Sequence, residues 1–290
     1  MQLHVGTSGF SYEEWRGTFY PEDLPALGML GYYSSRLPSV EVNNTFYQLP
    51  KPAMFERWRD LVPPSFCFAL KASRRITHVQ RLKDSKETLG YFFDAAKVLG
   101  ERLGPILFQL PPFAKKDAEV LRRFLGLLPP GTRAAFEFRN PSWFDDEVYA
   151  ILSQHGAALC GGDSDEDDRS PPLVRTADWG YLRLRAPSYD APGLAGWWQK
   201  ISTQGFSEAY VYLKHEVLGP HYAEHLSALS QGLPPKPLPA PPAPAQAKPK
   251  KTREKPVSEE KPKLQRKTAK EPEANGKSKP VPAKRARKKS

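Results

Sequence analysis

The sequence predicts an α/β fold: a single TIM-like (β/α)8 barrel with one helix short or missing after the sixth strand, plus a disordered C-terminal tail. Three observations carry that prediction. Short apolar runs alternate with amphipathic helical patterns through residues 1–231. Such alternation implies parallel strands with right-handed crossovers, and eight units close a barrel. The runs turn polar at their C-terminal ends, where barrels of this kind place their chemistry. Composition breaks sharply after Gln231, which sets residues 232–290 apart.

Strand patterns fall at 3–7, 39–44, 66–71, 105–110, 133–139, 157–163, 180–185 and 209–214. Helical patterns lie near 25–37, 52–61, 86–103, 116–128, 145–155, 193–204 and 219–230. Pro52 suits a first helical position and Asp145 an N-cap, while Phe92, Ala96, Leu99 and Leu103 recur at helical spacing. The missing helix follows Asp163, where DSDEDDRSPP is too acidic and proline-rich to offer an apolar face, so an irregular loop is expected. Residues 1–231 are long enough for one sizeable core. Cys67 and Cys160 each sit inside a strand pattern and read as buried thiols rather than a disulfide or metal pair.

The formal net charge of +11 averages two unlike segments. Residues 232–290 hold 18 Lys or Arg against 5 Asp or Glu, and residues 1–231 hold 25 against 27. The tail also carries 13 Pro and no aromatic residue, so it cannot bury enough apolar surface to offset chain entropy. Positive charge on an extended backbone suffices to bind phosphate polymers by counterion release, so salt-sensitive, sequence-independent nucleic-acid binding through 232–290 is expected. A solvated linker is the alternative. Base stacking by the tail is not expected without aromatic residues. No apolar run approaches the roughly 20 residues of a membrane span, and MQLHVGTSGF lacks the pattern of a secretory leader. A soluble, cytoplasmic protein without a membrane partner is expected.

The run VEVNNTFY at 40–47 places Glu41 and Asn43 on one face of a strand that should be buried. An unpartnered carboxylate there would cost several kcal/mol, so something must sit opposite. Alternation puts Thr7 inward on the first strand, Lys71 on the third, Gln109 on the fourth, and Glu137 and Arg139 on the fifth. Asp163 closes the sixth, Arg183 and Arg185 the seventh, Tyr212 and Lys214 the eighth. Their outward neighbours, such as Leu70, Phe136, Phe138, Leu182, Leu184, Val211 and Leu213, are apolar, as helix-covered positions should be.

Buried ion pairs, Glu41 with Lys71 or Arg139 and Glu137 with Arg183, would account for these residues structurally, though such pairs say little about stability. Read as a pocket, four or five cations among three carboxylates favour an anionic small molecule or nucleotide-like ligand. Lys71 offers a point charge or, if desolvated, a base or amine nucleophile. Glu41 and Glu137 offer a general acid and base, as a hydrolase or lyase acting on a glycosidic bond would need. Phe10, Tyr12, Trp15, Tyr47 and Trp143 could then stack a sugar or base. A metal-dependent phosphodiesterase or nuclease built on Glu41, Glu137, Asp163, His78 and His215 is a weaker reading, since no recognised ligand spacing occurs. Neither a metal nor a cofactor is assigned. A noncatalytic barrel that binds an anion or nucleic acid is the alternative from another class. No dinucleotide loop, phosphate-binding GxxxxGK[ST] pattern or GxSxG elbow is present.

GTSGFSYEEWRGTFYP at 6–21, VEVNNTFYQLP at 40–50, FCFALKASRRITH at 66–78, LGPILFQLPP at 103–112 and AFEFRNPSW at 135–143 together resemble the YecE-like proteins, a group labelled domain of unknown function 72. The resemblance spans essentially residues 1–230. It implies a TIM-like barrel and a shared pocket and supplies no reaction. Its motif residues are Ser8, Tyr12, Trp15, Glu41, Asn43, Thr45, Tyr47, Lys71, His78, Gln109, Glu137, Arg139 and Trp143. On the seventh strand the group usually reads Arg-Leu-His-Gly, where this chain has Arg183, Leu184, Arg185 and Ala186. On the eighth it shows Tyr-Phe and a pair of Asn, where this chain continues from Tyr212 to Leu213, Lys214, His215 and Glu216. Both departures make the pocket more basic. The resulting expectation is an enzyme with Glu41, Lys71 and Glu137 as catalytic residues, acting on a phosphorylated or otherwise anionic substrate.

Overall fold

A computed structural model describes residues 1–164 and 170–240. Eight parallel strands close a barrel in sequence order. They are β1 (Gln2–Ser8), β2 (Ser39–Val42), β3 (Cys67–Lys71), β4 (Leu103–Gln109), β5 (Ala134–Glu137), β6 (Ala158–Gly162), β7 (Trp179–Leu184) and β8 (Glu208–Leu213). The helices are α1 (Met29–Arg36), α2 (Asn44–Tyr47), α3 (Pro52–Asp60), α4 (Lys86–Ala96), α5 (Ala118–Leu125), α6 (Asp146–Gln154), α7 (Ala191–Ser202) and α8 (Gly219–Ser230). Each sequence-predicted strand and helix is present within a few residues. The short α2 carries no periodic signal and was not expected.

Local chemistry explains several boundaries. Asp117, Asp145 and Asp190 each accept a backbone N–H at a helix start, and Pro52 occupies the first turn of α3. The expected helix 86–103 instead stops at Ala96 and tightens into a 3-10 turn, which Gly100 breaks at φ 56°. Pro105 has no N–H for the ladder, and the β3–β4 register slips between Phe68 and Leu70 beside it. Among the described residues between β6 and β7 there is no helix, and residues 165–169 of the acidic loop lie outside them.

Two apolar clusters hold the barrel. One fills its interior with Ala69, Leu107, Ala135, Cys160, Tyr181, Tyr210 and Tyr212 among others; the larger lies between strands and helices. Both cysteines are buried free thiols. The interior ends upward in polar side chains, and register decides which. Ser8 pairs with Glu41 and Thr7 with Val40, and paired residues of a parallel sheet share a face. Ser8 therefore faces inward. Thr7, expected inward, points out to α1, where it meets the Tyr33 hydroxyl at 2.9 Å. Alternation defines two parities but does not say which faces the axis when both candidates are small and polar.

Past Gln231 the chain turns back along α8. Leu233 donates its N–H to the Ala228 carbonyl at 2.9 Å, the Lys236 carbonyl lies 3.2 Å from His225 Nδ1, and Leu238 packs on the core. The remainder of the tail expected to be disordered, 241–290, lies outside the described residues.

Gly162 at the end of β6 has φ 132°, and a Cβ there would collide with the Arg183 carbonyl on β7. Gly162→Ala is therefore expected to destabilise the fold by about 2–4 kcal/mol. Urea denaturation checks this, and an unchanged midpoint would contradict the close β6–β7 approach.

Candidate functional site

The C-terminal mouth of the barrel is built around Arg183, whose guanidinium reaches two carboxylates at once. Its Nη2 donates to Glu41 Oε1 at 2.9 Å and its Nη1 to Glu137 Oε2 at 2.6 Å. All three side chains are buried. Glu41 also accepts from the Ser8 hydroxyl, from Asn43 Nδ2 at 3.4 Å and from the Tyr181 hydroxyl at 2.8 Å. Glu137 accepts from Arg139 Nε at 3.1 Å and lies 3.7 Å from Arg185 Nη2. Both carboxylates are thus fully engaged.

Their surroundings keep both ionised. Burial pushes the Glu41 carboxyl up, but Arg183, the Ser8 and Tyr181 hydroxyls and Lys71 outweigh it, and the group ends below its ordinary value. Burial likewise raises Glu137, while Arg183, Arg139, Arg185 and Lys71 pull it down to about 2. A glycosidase-like pair needs one protonated carboxyl as general acid. The pairing with Arg183 disfavours that protonated form in both glutamates.

Lys71 ends β3 on the same side. Its neighbourhood follows from the NNTFY run: Asn43 adopts helical φ/ψ, ends β2 and opens α2. Asn43 leaves the strand yet still reaches inward, donating from Nδ2 to Ser8 Oγ at 2.9 Å. Thr45 Oγ1 then ties α2 to the Lys71 carbonyl at 2.7 Å. This brings Phe46 beneath the amine, with Nζ 4.2 Å from the ring centroid. Lys71 Nζ has no hydrogen bond or ion pair among the described residues. Burial and the Arg183 charge lower its pKa to about 8 against the opposing pull of Glu41 and Glu137. His78 lies on a π-helical turn, Arg75–Val79, with its ring 5.0 Å from Phe46. Burial, then Lys71, Arg74 and Arg139, hold it neutral below its usual range.

Other expected site residues have separate duties. Trp15 is buried among Tyr12, Phe19, Tyr20 and Tyr33 and donates its indole N–H to the Glu216 carbonyl at 2.7 Å. Trp143 stacks on Phe138 at 4.4 Å and donates to the Ala114 carbonyl. Both are packing residues, since each indole is enclosed and its N–H taken. Tyr212 lies deeper in the barrel, hydrogen-bonded to Ser39 Oγ at 2.7 Å. Asp163 accepts from the Ala186 N–H and the Tyr189 hydroxyl, so its charge orders the loop after β7. Lys214 lies past the end of β8 and is exposed, and Tyr47 is 71% exposed. Tyr12 stays at the rim, bonded to the Ser8 carbonyl at 2.6 Å, and Gln109 is buried at the end of β4, in register with Glu137.

The five residues considered for a metal do not converge, because Asp163 serves the β7 loop and His215 Nδ1 accepts the Leu218 N–H at 2.9 Å. No group of three or more His, Cys, Asp or Glu suited to a metal occurs among the described residues. Sequence reasoning missed Tyr181 and Phe46. Tyr181 shares the parity of Arg183 and could have been found by it; Phe46 depends on α2, which has no periodicity to read.

Fold and cluster together define a TIM-like barrel with a buried glutamate–arginine cluster at the C-terminal end of its strands. The chain belongs to the family described as protein of unknown function DUF72, whose model matches residues 4–248. It is 26% identical over 247 residues to UPF0759 protein YunF of Bacillus subtilis (strain 168), covering 79% of this chain and 84% of that protein. It is 29% identical over 145 residues to UPF0759 protein YecE of Escherichia coli (strain K12), covering 49% and 50%. A DUF72 family crystal structure from Thermotoga maritima MSB8 superposes with TM-score 0.70 at 26% identity, covering 80% of this chain and all (100%) of that one. One from Enterococcus faecalis V583 superposes at 0.66 with 17% identity, covering 79% and 98%. No described helix is long and apolar enough to cross a membrane.

Glu137→Gln removes one carboxylate and leaves three arginines facing a neutral amide, which should destabilise by about 3–5 kcal/mol near neutral pH. The folded pKa of Glu137 is depressed to about 2. Its stabilisation is therefore full above the unfolded value near 4.5 and is lost as pH falls towards about 2. Denaturation at a series of pH values should show the gap between wild type and variant narrowing only below about pH 4.5. A gap independent of pH would contradict the assigned ionisation.

Proposed function

We propose that the chain is an enzyme that binds a small phosphorylated or otherwise anionic substrate at the barrel mouth. The observation that carries this reading is an excess of unsatisfied donors over acceptors. Among the described residues, Arg183 Nε and Arg185 Nε are buried without a hydrogen-bond partner and Lys71 Nζ has no hydrogen bond or ion pair. A buried unsatisfied donor costs about 1–3 kcal/mol, and an anion relieves that cost. The cluster supports the same sign: Lys71, Arg139, Arg183 and Arg185 are set against Glu41 and Glu137. Arg139 is the most exposed of its arginines, with 35% of its side chain accessible, and His78 lines the approach as a neutral donor or acceptor. In this reading Glu41 and Glu137 act as fixed anions that hold Arg183 in place, and Lys71 is the group free to react.

The engaged carboxylates also favour a second reading, a noncatalytic barrel that binds the anion without turnover. The two readings share the same ligand chemistry. Inorganic phosphate should raise the melting temperature of the full chain saturably, by an amount equivalent to about 2.7 kcal/mol at a hundred times Kd. Arg139→Ala should weaken the effect about tenfold, the loss of one charge-assisted contact. Equal shifts with phosphate and with chloride at matched ionic strength would remove the anion site.

We further propose that residues 232–290 contact nucleic acid through their charge alone, as their 18 basic residues suggest. Because Leu233, Lys236 and Leu238 contact the barrel, the comparison chain should end at Ala240. Filter binding at two salt concentrations is expected to show salt-sensitive retention of RNA or DNA by the full chain and loss in the shorter one. Equal retention would exclude the tail.

A further inference from the structure

We propose that Lys71 is an amine nucleophile that forms an imine with the carbonyl carbon of a small anionic aldehyde or ketone seated in the arginine cluster. The inference rests on the anion site proposed above and names its substrate class. Its basis is a division of labour among the cations. Arg183 bridges Glu41 and Glu137, Arg139 donates to Glu137, and Arg185 lies 3.7 Å from the same carboxylate. Lys71 alone of the four has no carboxylate within ion-pair distance among the described residues. A lysine meant only to balance the buried glutamates would sit on one of them. This one is partly buried and faces the π-surface of Phe46 at 4.2 Å, held there by the Thr45 tie to its own carbonyl.

That placement suits a nucleophile for two reasons. Burial and the Arg183 charge disfavour the ammonium form, leaving a pKa of about 8. At pH 7.5 roughly a quarter of such an amine is uncharged, against about one part in a thousand for an ordinary lysine. Arg139 beside Lys71, with 35% of its side chain accessible, suits a carboxylate or phosphate on the same molecule, which would present the carbonyl rather than the acid group to Nζ.

The step balances without an added oxidant or reductant. The Nζ lone pair forms a C–N bond to the carbonyl carbon, and a proton moves from nitrogen to the oxygen to give the carbinolamine. The C–O bond then breaks, and the hydroxyl leaves as water with the nitrogen's remaining proton while the nitrogen lone pair forms the C=N bond. His78 is the proton carrier at hand: it is held neutral, packs against the same Phe46 ring, and uses Nδ1 for Thr77 Oγ1 at 2.9 Å, so Nε2 remains for exchange.

The test is reductive trapping on the full chain. Wild-type protein is incubated at pH 7.5 with pyruvate, glyoxylate or dihydroxyacetone phosphate and treated with sodium borohydride, whose hydride converts the imine to a stable secondary amine. Intact mass and peptide mapping locate the adduct. The expected result is preferential labelling of the peptide bearing Lys71 by at least one probe, about tenfold above any other lysine peptide. Inorganic phosphate should compete, and labelling should level off above about pH 8 while that of surface lysines continues to rise. Lys71→Arg should abolish the preferred adduct, and peptide mapping of the wild type decides the question if that variant fails to fold. Labelling spread evenly over lysines, or absent from Lys71 with all three probes, overturns the proposal. Phosphate stabilisation without an adduct would retain the anion site and reject the nucleophile; neither effect would reject both.

Discussion

Arg183 holds the barrel mouth together. Its two Nη atoms connect β7 to β2 and to β5, strands that are not neighbours in the barrel. The links therefore cross the barrel's interior rather than run along its wall. Removing Glu41 would leave Arg183 with Glu137 alone, and removing the arginine would leave buried Glu41 with no cation in ion-pair range among the described residues while Glu137 keeps Arg139 and Arg185; breaking a buried pair costs about 3–5 kcal/mol. A planar guanidinium suits this position because its fork directs separate N–H groups at separate acceptors, whereas a lysine ammonium is a single point of charge. Such a bridge is weak evidence for net stability and good evidence for fixed geometry, since every neighbouring group is positioned against it.

The rest of the site follows from that bridge. With Glu41 and Glu137 committed to Arg183, the surplus positive charge falls on Arg139, Arg185 and Lys71. The same two carboxylates are held ionised, which moves the capacity for proton exchange from the glutamates to Lys71 and His78. Below the bridge the interior narrows to Tyr181, Tyr212, Cys160 and Leu107, an apolar floor that keeps the charges desolvated. The Tyr181 hydroxyl joins the two layers by donating to Glu41 at 2.8 Å.

Much of this was legible beforehand. The barrel was readable because strand and helix periodicities depend on neighbours two to four residues apart, which are all present in one sequence. Inward placement of Glu41, Lys71, Glu137, Arg183 and Arg185 was readable because their outward neighbours are apolar. The choice between Thr7 and Ser8 was not, since it depends on pairing of β1 with β2, some thirty residues away. Trp15 and Trp143 looked like stacking platforms because composition does not reveal whether an indole N–H is already bonded. Lys214 has the right parity on β8 but lies past the strand's end, and parity carries no information about height along the axis.

The sequence by itself determined the fold class, the family resemblance and the set of polar residues pointed at one end of a barrel, because each is written in local spacing and residue type. Only the tertiary structure decided which charges neutralise one another. That pairing depends on distances across the barrel between β2, β5 and β7, which no local pattern encodes. It committed Glu41 and Glu137 to the holding of an arginine, and left Lys71 with no carboxylate in ion-pair range among the described residues.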